Sequence, residues 1–187
     1  MSKKKIIVLG GGYGGIAAAK KLYKKYKRNP NIEITLIDRN PYHTLMTELH
    51  EVAGSRVEPE SVQVSFQRIF GGTNVKLVTD TIRDIDFDNN TLKSDLRSYR
   101  YDYLVIGAGG EPEFFDIPGV QQNSFTIWSF DDAIRLRNQI EDRFMEAARE
   151  PNEEKRRRML TFVIAGAGFT GIELAGEILE RKKTLCR

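Results

Sequence analysis

The sequence predicts an α/β fold built on a parallel sheet, and three observations predict it. A glycine-rich turn occurs twice, each time between an apolar β-branched run and a helical pattern. The first copy is followed by a second apolar run, Ile32 to Ile37, that ends in an acid. A third run, Tyr103 to Ile106, again ends on glycines. Apolar runs alternating with helical patterns are the signature of βαβ units. At 187 residues the chain has room for one sizeable domain, or for one domain and part of a second.

The first copy reads KIIVLGGGYGGIAAAKKL from Lys5 to Leu22, and the second TFVIAGAGFTGIELAGEIL from Thr161 to Leu179. Both are strand, G-x-G-x-x-G, then a helix opening on small residues. The glycines are Gly10, Gly12 and Gly15, then Gly166, Gly168 and Gly171. In a dinucleotide-binding, Rossmann-like unit they serve the tight turn, the backbone approach to a pyrophosphate and the helix–strand packing. The helix N-terminus adds free N–H groups and a positive dipole end. The first copy carries a further confirmation. Asp38 lies 23 residues beyond Gly15, at the end of the second strand, where the fingerprint wants an acid to take hydrogen bonds from a ribose. That carboxylate would repel a ribose 2′-phosphate. The second copy lies within the last 30 residues and has no acid of that kind after it.

Between the copies the elements are shorter. Residues 44–53 read as helical, Phe66 to Phe70 as a short helix, and 75–78, 81–87 and 91–93 as strands, with Asp88-Asn89-Asn90 as a turn. Tyr103 to Ile106 reads as a buried parallel strand running into Gly107-Ala108-Gly109-Gly110, at the sheet edge where open α/β sheets bind ligands. Phe130 to Ala148 is a helix whose stripe is Ala133, Leu136, Ile140, Phe144 and Ala147, capped by Ser129 with Asp131 and Asp132 in its first turn. Residues 150–158, EPNEEKRRR, form a polar connector. The expected organisation is a whole nucleotide domain over 1–149 and the start of a second over 159–187.

Composition narrows the function. The net charge of +3 is modest, and the basic runs at 3–5, 156–158 and 181–183 read as solvated faces, so nucleic acid is not an expected partner. No apolar run approaches the ~20 residues of a membrane helix, and no signal peptide opens the chain. The lone Cys186 leaves no intrachain disulfide and no multi-cysteine metal site, and points to a reducing compartment.

The stretch YHTLMTELHEV at 42–52 holds both histidines of the chain. As a helix it puts 43, 47, 50 and 54 on one stripe and Leu45, Met46, Leu49 and Val52 on the other. Thr47 between the histidines is a poor ligand for a soft divalent ion, so no metal is expected. Two readings stay open: packing with a polar outer face, and a wall along a bound cofactor.

Together GGGYGG at 10–15, NPYHTLMTELHEVAG at 40–54, YDYLVIGAGGEPEFFDIPG at 101–119, DDAIRLRNQI at 131–140 and GAGFTGIELAGE at 166–177 resemble the two-dinucleotide-domain flavoprotein reductases. Within these they are most similar to type II NADH dehydrogenases, which pass hydride from NADH to FAD and electrons on to a quinone. The resemblance implies an FAD site in which Gly10, Gly12, Tyr13, Gly14 and Gly15 cradle the pyrophosphate. Asp38 would hold the adenosine ribose, with Arg39 and Asn40 beside it. Ile82 would meet the adenine through its backbone. His43 and Thr47 would hydrogen-bond ribityl or pyrophosphate oxygens, and Ala108, Gly109 and Gly110 would line the flavin.

The same resemblance implies an NAD(H) site on Gly166, Gly168, Phe169, Thr170 and Gly171. Glu173 matches a family glutamate near the nicotinamide–flavin contact, or is a helix-terminal acid stabilised by the dipole. Family members are longer, so this chain resembles the N-terminal part of such an enzyme, with weak or no activity by itself. The absence of a cysteine pair after the second strand argues against thiol, disulfide and sulfide substrates. The implied setting is the cytoplasm or the cytoplasmic face of a membrane, with peripheral contact through other segments and a homodimer as an expected assembly. The alternatives are a reductase with a ferredoxin-like or other acceptor, and a non-catalytic nucleotide-binding fragment.

Overall fold

A computed structural model describes residues 3–185; Cys186 lies outside the described residues. In chain order the strands are β1 Lys4–Leu9, β2 Ile32–Asp38, β3 Tyr42–Thr44, β4 Gln63–Ser65, β5 Lys76–Thr79, β6 Ile82–Asp86, β7 Thr91–Ser94, β8 Ser98–Arg100 and β9 Tyr103–Ile106. The helices are α1 Tyr13–Tyr26, α2 Leu49–Ala53, α3 Phe66–Phe70, α4 Val120–Asn123, α5 Phe130–Arg149, α6 Glu153–Met159 and α7 Phe169–Leu185. Two compact units result, one of 1–43 with 64–110 and one of 44–63 with 111–187.

In the first unit β5, β2, β1 and β9 form a parallel sheet in that order. Successive strand residues face opposite layers. Val8, Ile34 and Leu36 face Ile16 and Ala19 of α1, with Phe66 and Phe70 of α3. Ile7 and Ile37 face the antiparallel meander β6-β7-β8, where Leu92 and Tyr101 cover them. Each fully buried side chain of this kind contributes about 1.5–3 kcal/mol, so the two-sided burial is what holds the central strands. The short elements expected at 66–70, 75–78, 81–87 and 91–93 are all present to within a residue or two. Tyr103 to Ile106 is parallel as expected but not buried: Tyr103 is 60% and Ile106 56% exposed. Among the described residues β9 pairs only with β1, so one face of its ladder meets no strand.

The second unit is helical. The stripe expected on α5 is the buried one, and Ser129 and Asp132 close a reciprocal capping box at its start. Helix α2 is sandwiched: Leu49 and Val52 pack on Val62 and Ala133, while Ala53 packs with Leu136, Ile140 and Leu174. That explains two departures from expectation. His43 is in strand β3, so 43, 47, 50 and 54 do not share a helix face. His50 is buried, 9% exposed, because both sides of so short a helix are covered.

The stretch 150–158 is no plain linker either. Asn152 caps α6 by accepting from the Lys155 N–H at 3.0 Å, and Glu154 pairs with Arg158 one turn on. The segment after α6 packs back on α5, Phe162 stacking on Phe144 at 5.9 Å, so the compact unit runs through the expected boundary. The strand expected at 161–165 is not formed. A strand needs a neighbour for its N–H and C=O groups, and among the described residues none pairs with this segment.

Candidate nucleotide-binding site

In an open parallel sheet the ligand crevice lies beyond the carboxyl ends of the strands, where the chain switches sides. Here β1 is flanked by β2 on one side and β9 on the other, so that point is the end of β1. Gly10 sits there with φ +96°, a conformation side chains rarely adopt, and a Cβ on it would strike the Gly107 carbonyl. The Gly107 N–H in turn donates to the Leu9 carbonyl at 2.7 Å. Gly15 on α1 lies directly over the Gly10 carbonyl, leaving no room for a Cβ. Gly12 and Gly14 face open space.

Asp38 ends β2 and turns its carboxylate onto this turn. Oδ2 accepts the Gly11 N–H at 2.6 Å and Oδ1 accepts the Asn40 N–H at 2.8 Å. Each oxygen keeps a lone pair for a further donor such as a ribose hydroxyl. His43 reaches the same glycine from the other side, its Nδ1 standing 3.1 Å from the Gly11 carbonyl oxygen. Tyr13 meets the His43 ring edge-on at 4.6 Å. The ring of Phe66 fills the space a Cβ on Gly11 would need.

The loop after β5 completes the setting. The Asp80 N–H donates to the Asp38 carbonyl at 2.9 Å, and the Asp80 carboxylate takes the Tyr99 hydroxyl at 2.5 Å. The bond from Tyr99, seconded by Ser94, holds the Asp80 carboxyl below its ordinary range, while burial and then Asp80 push the Tyr99 phenol up.

The first unit therefore gathers Gly10, Gly12, Tyr13, Gly14, Gly15, Asp38, Asn40, His43 and Ala108 around one turn, with Arg39 exposed beside them. Ile82 puts its side chain into the core beside Ile7 and Ile37. Gly109 and Gly110 are exposed after β9. Thr47 belongs to the second unit, exposed on the 3₁₀ turn Met46–Glu48. Sequence reasoning placed Gly107 at the ligand edge but missed Gly11, Phe66 and Asp80. The run of three glycines at 10–12 carried a signal for Gly11, since the motif asks for only two.

The second copy has the same local geometry. Gly166 has φ +107°, Gly171 overlies the Gly166 carbonyl, and the Ile172 N–H donates to Gly168 at 3.1 Å, as Ile16 does to Gly12 at 3.0 Å. Gly168, Phe169 and Thr170 are exposed. On α7 the polar stripe Glu173, Glu177 and Arg181 meets α2 and α5. Glu173 Oε2 is 3.6 Å from His50 Nδ1, buried Glu177 pairs with Arg56 at 3.2 Å, and Arg181 shares Glu141 with Ser55. Burial works against the Glu141 charge, but Ser55, Arg181 and Arg137 outweigh it and leave its carboxyl below the ordinary range.

The family model for pyridine nucleotide-disulphide oxidoreductases matches residues 4–185. A type II NADH:quinone oxidoreductase of Staphylococcus haemolyticus is 35% identical over 98% of this chain and 45% of its own length. The chain thus spans less than half the length of the curated relatives it matches. Among solved structures, NDH2 from Plasmodium falciparum in complex with NADH superposes with a TM-score of 0.82 at 22% identity, over 98% of this chain and 39% of that one. The sulfide:quinone oxidoreductase of Aquifex aeolicus superposes at 0.63 with 27% identity, over 79% and 33%.

Proposed function

The chain belongs to the pyridine nucleotide-disulphide oxidoreductase family, and we propose that it is the N-terminal part of an FAD-dependent NADH:quinone oxidoreductase. The observation that carries this is the Asp38 carboxylate hydrogen-bonded into the first glycine turn, set in a chain 35% identical to a named NADH:quinone oxidoreductase. The cradle fits the adenosine diphosphate half of FAD. Gly12 and Gly14 leave open space where side chains would bar a pyrophosphate, and the start of α1 supplies backbone N–H groups and a positive dipole end. Asp38 would hold the adenosine ribose and, by its charge, disfavour a 2′-phosphate. Arg39, exposed beside the turn, would lie near the adenine, and Ile82 would meet the adenine through its backbone. When bound, the flavin supplies a two-electron centre that takes hydride from NADH and passes electrons to a quinone.

The chain's own residues bind and orient. The second turn, Gly166 to Gly171, would take the NADH pyrophosphate on the start of α7. Glu173 would present a carboxylate beside the nicotinamide, with the His50 imidazole 3.6 Å behind it. Thr47, exposed on its 3₁₀ turn, would offer its hydroxyl to the ribityl chain. Among the described residues no helix is long and apolar enough to cross a membrane. Peripheral contact of the whole enzyme with a quinone-bearing membrane, on its cytoplasmic face and through other segments, is part of the proposal. A homodimer remains part of the proposal.

The test is an absorption spectrum of the purified chain after excess FAD and removal of the unbound part, then after NADH. Retained flavin bands, lost in Asp38→Ala, bear the reading out; a chain that retains no flavin overturns it. Bleaching by NADH would add the second nucleotide site.

A further inference from the structure

We propose that His43 is a positioning residue of the first nucleotide site, setting the direction of the Gly12 N–H rather than touching the cofactor itself; this rests on the nucleotide-binding reading above. Two successive peptide groups make up the turn, and every peptide here is trans. In a trans peptide the C=O and N–H point in opposite directions. The first peptide is pinned at both ends: its carbonyl, on Gly10, lies under Gly15, and its N–H, on Gly11, is taken by Asp38 at 2.6 Å. The Gly11 N–H is therefore already spent on the protein's own acid, and the donors facing an anion begin one residue later.

The second peptide has its carbonyl on Gly11 and its N–H on Gly12. A carbonyl oxygen only accepts, so the 3.1 Å contact requires His43 Nδ1 to carry the proton. With the carbonyl held toward His43, the Gly12 N–H must point away from the ring; a Cβ on Gly12 would itself meet nothing within 4 Å, so the turn is not crowded at this residue. His43 is 6% exposed, and Tyr13 braces its ring edge-on, so the donor cannot swing away. Phe66 fills the third side of Gly11. The turn would otherwise be free to rotate this peptide, because glycine opposes no φ/ψ. Asp38 and His43 thus divide the work: one fixes where the turn begins, the other aims its first free donor.

The test compares the parent chain with His43→Phe and His43→Asn. Phenylalanine keeps a ring without a donor; asparagine places an amide N–H where Nδ1 stood. Flavin fluorescence reads FAD affinity, and ¹H–¹⁵N spectra read the Gly12 amide while inorganic pyrophosphate is titrated in. The expected result is a loss of about tenfold in FAD affinity for His43→Phe, the magnitude of one net hydrogen bond, with recovery in His43→Asn. The pyrophosphate-induced shift of Gly12 should vanish and return in the same order. Equal FAD affinity in all three chains overturns the proposal. A parent chain that binds no FAD defeats the FAD reading alone: the Gly12 shift then decides, and its absence in the parent or its persistence in His43→Phe overturns the role of His43. If His43→Phe fails to fold by circular dichroism, His43→Gln replaces it, carrying the same amide one methylene farther out. Loss in Gln but not in Asn supports the proposal, and equal behaviour sinks it.

Discussion

The chain builds the same glycine turn twice and surrounds it differently each time. At Gly10 and Gly166 the backbone has the same left-handed φ, and at Gly15 and Gly171 the helix sits on the same carbonyl. The first turn, however, rises from the middle of a four-stranded sheet, with Asp38, His43 and Phe66 holding Gly11. The second comes after a segment that pairs with no described strand, and its counterpart of Gly11 is Ala167, which is exposed. Local glycine chemistry is enough to shape the turn and start the helix. The strand beneath it and the clamp around it are tertiary, and they come only with neighbours.

The sharpest way to break this comparison is to cut one aliphatic side chain in the paired sheet and one in the unpaired segment before the second turn. Leu36, 1% exposed beneath α1, should cost about 2–5 kcal/mol when changed to Ala, since the sheet cannot collapse into the space. Ile164 lines a groove of about 270 Å³ beside Phe162 and Ile178 and is only half-buried, so Ile164→Ala should cost below about 1 kcal/mol. Urea unfolding followed by hydrogen exchange, amide by amide, measures both. Similar losses would mean that the second strand segment is held as firmly as the first.

A smaller effect separates the two turns themselves. Gly11→Ala drives a methyl into the Phe66 ring and should cost about 1–3 kcal/mol. The reciprocal Ala167→Gly meets no such crowding and should cost about 0.4–1 kcal/mol, through the greater freedom of the unfolded chain. If Gly11→Ala proved the milder change, the clamp around Gly11 would not be a tight one.

Next comes the helix on which the second unit depends. Ser129→Ala removes the side chain that accepts the Asp132 N–H at 3.1 Å, and should cost about 1 kcal/mol. Exchange should quicken at α5 and at Leu174, which packs on it, while β1 and β2 amides keep their rates. Equal quickening in β1 would show that the two units open together.

These contrasts also mark what could be read in advance. Periodicity gave α5 to within one residue, because its buried stripe repeats over five turns and its cap is local. The glycine spacing gave both turns, and the acid at the end of β2 gave Asp38. Three things were illegible for one reason: they depend on what lies opposite. The exposure of β9 comes from its being the outermost strand. The buried His50 comes from α2 being covered on both sides, and the missing strand at 161–165 from the lack of a partner. The role of Gly11 fell between these classes. Its extra glycine was visible, but only Phe66, 55 residues on, explains why nothing larger fits.

The mildest prediction sharpens the comparison through acid, because the meander belongs to the first unit alone. Asp86 closes the β6–β7 turn, accepting from the Asn89 side chain and backbone, with Lys93 at 3.1 Å. Those bonds, Asn89 first, hold its carboxyl down to about 2. An unfolded aspartate titrates at about 4, so the folded value is the lower one. Such a group stabilises the folded turn fully above about pH 4 and loses that contribution as the pH falls toward 2. The Asn89 amide should therefore exchange faster, relative to its intrinsic rate, between about pH 4 and pH 2, with α5 amides changing less. Asp86→Asn cannot titrate and should flatten that window while starting from a weaker turn. An Asn89 amide equally protected at both ends of the window, or equally pH-dependent in the variant, would show that the carboxylate does not hold the turn.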